Sequence, residues 1–383
     1  MHTVIVGGGF AGVKAALELA KRKTGKVTLI SNKPYFLYHA ALYATVTGSS
    51  PHETVISLED IFSEYHSVDV VEDTIVSLDP ARNMVVGKAT SYAYDTLVLA
   101  IGSETSYLNI PGMKNRSYGM KTLEEISAFH KHLKTEMIKD HHLDKNYVIV
   151  GGGPTGVELA GVIAPYIARI AKEHMVHKTK VHVTLVEASD RLLPTLSTTA
   201  SRKAQRRLEA LGVKVLVDTK VRSFNKTHIT LDDKKIPTKT VVWTAGAKNN
   251  TFFEEHPEYF QLAKNRRVVV NPYLEAYRDI YVLGDNADVK GSGTAPAALA
   301  MGAFLADHLI RKSRNAPLKA YRPKKPAVMV PIGEKWAYAE RWGIYMDGYL
   351  GHVARRRFEL NAYRQILPEV QAQAAWNAHN SKN

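Results

Sequence analysis

A glycine pattern that occurs twice, each time in the same local setting, limits this 383-residue chain more than any other feature. The apolar run Thr3-Val4-Ile5-Val6 leads directly into Gly7-Gly8-Gly9-Phe10-Ala11-Gly12, which reads G-x-G-x-x-G. Val13, Ala16, Leu17 and Ala20 follow at helical spacing. Later, Tyr147-Val148-Ile149-Val150 leads into Gly151-Gly152-Gly153-Pro154-Thr155-Gly156 and then Val157-Glu158-Leu159-Ala160. Such spacing builds a buried parallel strand, a tight turn and a helix start. The first glycine makes the turn, the second lets backbone approach a pyrophosphate, and the third lets helix and strand pack closely. Free N–H groups and the partial positive charge of the helix N-terminus then face the phosphates. A chain carrying this unit twice is expected to be α/β, with two Rossmann-like dinucleotide-binding domains.

The residue closing the next strand separates the two units. After the second, Val181-His182-Val183-Thr184-Leu185-Val186 ends in Glu187. An acidic side chain there accepts hydrogen bonds from a ribose 2′-OH and repels a 2′-phosphate, which favours NADH over NADPH. After the first, Val27-Thr28-Leu29-Ile30 ends in Ser31-Asn32, whose side chains offer a ribose weaker hydrogen bonds. Three further strands are expected. One ends in Ala100-x-Gly102, one, Val241–Trp243, leads to Gly246, and one from Asp279 ends in Gly284-Asp285 ahead of a helix from Ala297 to Ile310.

Composition narrows the chemistry. There is no cysteine, so thiol nucleophiles, disulfide relays, cysteine-bound zinc and iron–sulfur clusters are excluded. No metal site is expected. The 51 Lys+Arg against 37 Asp+Glu leave a net charge of +14, which asks for an acidic partner such as phosphate-rich cofactors or anionic lipid. No recognisable nucleic-acid module accompanies that charge, and nucleic acid is not expected as a partner. No window of about 18 apolar residues occurs, and Met1-His2-Thr3 runs straight into a strand. The expected location is therefore cytoplasmic, or the cytoplasmic face of the cell membrane.

The glycine motifs and the Gly284-Asp285 strand resemble the two-dinucleotide flavoprotein superfamily. The segment from Val27 through Pro34-Tyr35-Phe36-Leu37-Tyr38-His39 to Tyr43 and Gly48 resembles type II NADH dehydrogenases, as do Gly151–Glu158 and Val186-Glu187-Ala188 through Arg191-Leu192-Leu193-Pro194. The resemblance covers residues 1 to about 312. It implies FAD as cofactor, NADH as co-substrate, quinone as acceptor, peripheral membrane attachment and a possible homodimer. An FAD domain (1–113 and 247–326) would then enclose an inserted NADH domain (114–246). FAD would meet Gly7, Gly9, Phe10, Ala11, Gly12, Ser31, Asn32, Ala100, Gly102, Gly284, Asp285 on the ribityl chain, and Ala297. NADH would meet Gly151, Gly153, Pro154, Thr155, Gly156, Glu187 and Gly246.

Glu158 matches a family glutamate linked to nicotinamide positioning or proton delivery to quinone, a role suited to a carboxyl with raised pKa; a surface glutamate near a helix start is the plainer reading. Tyr38, His39 and Tyr43 are acceptor-pocket candidates, with core packing as the alternative. One departure stands out. Where the family carries an Ala-Gln-x-Ala-x-Gln type motif, this chain has Ala295-Pro296-Ala297-Ala298-Leu299-Ala300-Met301, so Pro296 and Ala300 replace both glutamines. Pro296, Ala300 and Met301 are still candidates for the quinone pocket.

Residues 311–325 hold seven basic residues, no acidic ones, and prolines at 317 and 323, and read as a linker. Residues 327–383 are expected to be a helical, aromatic and basic extension serving membrane association or dimerisation. Tyr363, Ile366, Leu367, Val370 and Ala374 lie at helical spacing across Pro368, and Arg341 and Arg355-Arg356-Arg357 would meet anionic lipid. Two alternatives remain at this point: a soluble NADH-dependent reductase of a ferredoxin or rubredoxin type carrier, and a redox-switched binding protein resembling apoptosis-inducing factor.

Overall fold

A computed structural model describes residues 1–47, 54–138, 146–173 and 181–378. Gly48, the end of one segment carrying the resemblance, lies outside the described residues, as do residues 379–383 of the C-terminal extension. Two parallel sheets dominate. The first orders its strands Glu275–Tyr277, Ile280–Val282, Thr96–Leu99, His2–Val6, Lys26–Ser31 and Val68–Glu72. Only the Glu275–Tyr277 edge is antiparallel to its neighbour. Val4 stands opposite both Thr28 and Leu97, and Leu97 opposite Ile280. The second sheet orders Val213–Leu216, His182–Val186, Asn146–Val150 and Thr240–Trp243, all parallel. Continuous apolar runs such as Val4-Ile5-Val6 and Val148-Ile149-Val150 suit strands covered on both faces, and these six residues are buried.

Each half adds a three-stranded antiparallel meander: 75–79, 84–87 and 91–93 in the first, 221–224, 228–231 and 235–237 in the second. The sequence suggests one hairpin-like region over 68–93. Val68–Glu72 instead closes the parallel sheet, with Val70 opposite Leu29. Helix Phe10–Lys21 covers the first sheet and lies against helix Ala295–Ser313. Gly302 permits that approach, since a Cβ there would strike the Ala11 carbonyl and the Ala15 amide. That helix runs past Arg311 and Lys312, which pair with Asp307 and Asp279 at 2.7 Å, so the linker begins after Ser313. Glu104–Thr105 pairs antiparallel with Ala247–Lys248 where the chain passes between the halves.

The C-terminal extension differs from the helical expectation. An antiparallel sheet of Val328–Pro331, Ala337–Arg341 and Ile344–Met346 precedes helices Gly348–Arg364 and Glu369–Ala378, which lie on either side of Pro368. The sheet packs on the second half: Val330, Ile332 and Tyr338 share a core with Leu159, Ile163 and Leu208. The helices pack on the first half, where Tyr363, Ile366 and Leu367 join the core of Ile5 and Ala16. The extension is a strap across both halves. Of the face expected to meet lipid, Tyr363, Ile366 and Leu367 are turned inward and Arg355 and Arg356 are buried as well, whereas Val370, Ala374, Arg341 and Arg357 stay exposed. Exposed instead are Trp342, Ile344, Tyr345, Met346, Tyr349 and Leu350, around the hairpin tip and the following helix start.

Candidate functional site

Both glycine turns have the geometry that the motif requires. Gly7 holds φ at +120° and Gly151 at +113°, a region where side chains are strained. A Cβ on Gly7 would also meet the Ala100 carbonyl, and one on Gly12 or Gly156 the carbonyl of Gly7 or Gly151. Around the middle glycines, Gly9 and Gly153, the space is open to 4 Å. Gly9 caps its helix without a side-chain bond, so the first N–H groups of Phe10–Lys21 face that opening. Pro154 opens the second helix, Pro154–Glu173, where its missing N–H costs nothing, and Thr155 beside it is exposed. The two turns therefore fit a dinucleotide pyrophosphate each.

The strand ends flank these cradles. Ser31 is buried, its Oγ accepting from the Lys33 amide at 3.3 Å, whereas Asn32 is exposed. Glu187 spans the second turn: one carboxylate oxygen accepts from the Gly152 amide at 2.6 Å, the other from the Ser189 amide at 2.7 Å. Gly246 serves the crossing between halves, its carbonyl accepting from the Ser106 amide at 2.7 Å.

A network that the motifs do not reveal holds Gly102 and Asp285 together. The fully buried Asn286 accepts from the Gly102 amide at 2.9 Å and donates to the Gly102 carbonyl and to Asn249 Oδ1, both at 2.8 Å. Ala100 lies buried just before it. Asp285 accepts from Ser103 Oγ at 2.8 Å, and Lys121 Nζ donates to that hydroxyl at 2.8 Å. Burial holds the Lys121 ammonium below its ordinary pKa, against the pull of Asp285, Glu125 and Glu104. Lys121 is placed by a helix cap in which Glu125 accepts from the amides of Lys121 (2.7 Å) and Thr122 (3.1 Å), and Thr122 Oγ1 accepts from the Glu125 amide. The T-x-x-E spacing of Thr122 and Glu125 was the available signal, which sequence reasoning passed over; the Asn286 and Ser103 contacts carry no local signal.

On the Ala295–Ser313 helix the acceptor candidates differ in exposure. Met301 is fully buried and its sulfur accepts from the Gly284 amide at 3.2 Å. One helical position from Ala300 turns the side chain by about 100°, enough to take it from the open face to the covered one. Ala300 is exposed, while Pro296 and Ala297 are half-buried near the helix start.

Of the remaining candidates, Tyr38, Tyr43 and Glu158 lie beside the C-terminal strap, and His39 lies toward Lys121 and Asp285. Phe10, Phe36 and Tyr38 form an aromatic cluster, with Phe10 and Tyr38 at 5.6 Å between centroids, and Tyr38 stacks on Tyr363 at 4.3 Å. Tyr38 and Tyr43 are both buried. The His39 ring keeps solvent access, with Nδ1 3.0 Å from the Leu37 carbonyl. It sits in a crevice dense enough to depress its pKa by desolvation, with Lys121 and Asp285 nearby. Glu158, partly exposed, has its carboxyl pushed up to about 8: burial raises it, Arg355 opposes and Glu359 adds.

Those two partners belong to a buried ionic cluster. Arg355 donates to Glu359 Oε1 at 3.0 Å and Arg356 to Glu359 Oε2 at 2.6 Å. Arg356 also donates to the Trp376 carbonyl at 2.5 Å and lies over that indole. Sequence reasoning assigned both arginines to lipid and passed over Glu359. The i, i+3 and i, i+4 spacing of 355, 356 and 359 was the available signal.

A model of the family described as pyridine nucleotide-disulphide oxidoreductase matches residues 1–302. The type II NADH:quinone oxidoreductase Ndh of Mycobacterium tuberculosis is 28% identical over 330 residues, covering 80% of this chain and 71% of that protein. NdhA of the same organism, also a type II NADH:quinone oxidoreductase, is 28% identical over 387 residues, covering 92% and 81%. The structure of NDH2 from Plasmodium falciparum in complex with NADH superposes with a TM-score of 0.88 at 16% identity, covering 100% of this chain and 98% of that one. At that identity the superposition speaks for the fold.

Proposed function

The chain belongs to the pyridine nucleotide-disulphide oxidoreductase family, and from there we propose that it is a non-pumping NADH:quinone oxidoreductase of type II. One observation carries the reading. The two cradles end at a single cluster, since Phe10, which opens the first helix, packs on Tyr38, and Tyr38 shares the surroundings of Arg355 and Glu359 with Glu158 of the second helix. Two dinucleotides seated on those helices would point their reactive ends at one place. The chain has no cysteine, which leaves no thiol relay between such a pair and the acceptor.

In this reading residues 1–113 and 247–326 hold FAD, with Gly9 and the Phe10–Lys21 helix start at its pyrophosphate and Asp285 at its ribityl chain; residues 114–246 hold NADH. FAD supplies two-electron exchange with both nicotinamide and acceptor. The protein's task is alignment, which the Asn286 lock and the strap serve by fixing both halves. Glu187 selects the unphosphorylated ribose. Glu158, protonated near neutrality, carries a proton at the acceptor end.

Among the described residues no helix is long and apolar enough to cross a membrane. Peripheral attachment is supported by the exposed patch Trp342, Ile344, Tyr345, Met346, Tyr349 and Leu350, with Arg341 stacked on Trp342 at 4.0 Å. A second copy of the chain is the other occupant that such a patch suits.

The test is stopped-flow absorbance of the FAD-loaded protein, mixed with NADH and then with a soluble quinone. Bleaching followed by rapid recovery is expected. No bleaching refutes the NADH half of the reading. Bleaching without recovery moves the acceptor to a carrier protein.

A further inference from the structure

One side chain of the second half reaches the Asp285 turn of the first. The backbone around Lys121 is anchored in the second half. Tyr118 donates to the Val241 carbonyl at 2.9 Å and accepts from the Trp243 amide at 2.7 Å, and Met120, Ile126 and Phe129 are buried in the core of Ile149 and Leu159. The Lys121 ammonium leaves that half and donates to Ser103 Oγ at 2.8 Å, and Ser103 donates in turn to Asp285 Oδ2 at 2.8 Å. An ammonium has donors only, and a serine hydroxyl has a single proton. With Lys121 in place the hydroxyl therefore accepts from it and directs that proton at Asp285. The other acidic groups facing Lys121 are engaged elsewhere: Glu125 accepts from the amides of Lys121 and Thr122, and Glu104 pairs with Lys248 at 3.2 Å. Among the described residues Ser103 is thus the one hydrogen-bond acceptor of the Lys121 ammonium and the one donor to the Asp285 carboxylate, whose Oδ1 is left to accept from a ligand. The relay borders open space. A Cβ on the neighbouring Gly102 would meet nothing within 4 Å, and Ser103, Lys121 and Asp285 all keep solvent access.

We infer that Lys121 is a positioning residue for the flavin: acting through Ser103, it sets the Asp285 carboxylate that takes the ribityl chain, and so makes retention of FAD depend on the docked second half. The inference rests on the FAD reading above and adds to it the half to which Asp285 does not belong. The coupling is reciprocal, so bound FAD also steadies the segment that carries Lys121. Two contacts outside this relay hold the same helix against the first half: Lys33 pairs with Glu124, and His130 Nδ1 lies 2.7 Å from the Val46 carbonyl. They remain when Lys121 or Ser103 is truncated, so the fold has reason to persist.

The experiment dilutes the FAD-loaded protein and follows release of FAD by the rise in flavin fluorescence. Lys121→Met and Ser103→Ala should each release FAD about tenfold faster than the wild type or more, the usual scale for a hydrogen bond to a charged group. The double variant should release it about as fast as the quicker single one, because both substitutions cut the same relay. General loss of packing at two separate sites would instead multiply. Amide hydrogen exchange of the loaded proteins reads the coupling across the halves: Ser103→Ala, a change in the first half, should quicken exchange over 118–126 in the second. Release at the wild-type rate in either single variant, single effects that multiply in the double, or unchanged exchange over 118–126 overturns the inference and leaves FAD as the cofactor. A wild type that takes up no FAD overturns the inference and the FAD reading together.

Discussion

Replacing Glu158 by glutamine tests whether its carboxyl is held protonated by the fold. Its ordinary pKa of 4.5 is pushed up to about 8, burial being the main cause and Arg355 the main opposition. Below pH 4.5 folded and unfolded chains both carry the proton, and well above pH 8 neither does. Between those limits the folded chain alone keeps it. Folding takes up a proton in that window, so the contribution of Glu158 to stability falls as pH rises from 4.5 to about 8 and stays low beyond. The interval is about 3.5 pH units, and at about 1.4 kcal/mol per unit the ceiling is about 5 kcal/mol. Glu158 keeps some solvent access, and screening there reduces the figure to about 2–3 kcal/mol. Glutamine preserves shape and cannot ionise. Urea unfolding of both proteins at pH 5.5 and pH 9 spans about 2.5 of those units and should show Glu158→Gln gaining about 1.5–2 kcal/mol on the wild type between the two. A constant difference across that range would refute the reasoning, since it would mean that the carboxyl titrates alike folded and unfolded.

Glu187→Gln should remove the repulsion of a 2′-phosphate and narrow the discrimination between NADH and NADPH by about tenfold, read as the ratio of kcat/KM values; an unchanged ratio would take Glu187 out of the ribose site. Asp285→Ala should lower the flavin absorbance carried per polypeptide after purification, and full flavin content would show that the Gly284-Asp285 turn does not hold the ribityl chain. Asn286→Ala strips the Gly102 amide and the Asn249 side chain of their buried partner, for a loss of about 2–4 kcal/mol in urea unfolding. Trp342→Ser combined with Tyr349→Ser should weaken co-sedimentation with anionic vesicles by about tenfold and leave NADH bleaching of the flavin intact; undiminished sedimentation would move the membrane contact elsewhere, and a change in oligomeric size would assign the patch to a second copy.

The parts of this molecule legible in its sequence are those set by local rules. Buried strands, glycine turns and helix starts lie within a few residues of one another, so Gly7 to Gly12 and Gly151 to Gly156 announce their own geometry. The Glu187 carboxylate is equally local, closing the strand beside its turn. What stayed hidden was brought together by tertiary folding. Asn286 reaches Gly102 across 184 positions of sequence, and nothing near either residue marks the partner. Arg355 and Arg356 misled because charge next to aromatics describes a lipid-facing helix and a buried ion pair equally well; only the packing of the strap decides. The C-terminal sheet was missed for a related reason. Its strands are three to five residues long, too short for an alternating pattern to stand out.

The strap also changes what covalent continuity means for this chain. The stretch from 314 to 327 that leads to it is mostly exposed, free of helix and strand, and tied down midway where Tyr321 packs on Phe304 and its amide donates to the Pro272 carbonyl. Beyond that tether, the sheet is rooted in one core and the helix pair in the other, each by its own buried side chains. The tether therefore contributes mostly local concentration, an entropic effect that varies slowly with its length. A protease that clips the basic stretch would leave a two-fragment protein that holds its shape, with the severed piece still bridging both halves. By the same logic this stretch is where the chain can best be lengthened, interrupted or supplied as a separate polypeptide, because no part of the site depends on the path taken between Ser313 and Val328.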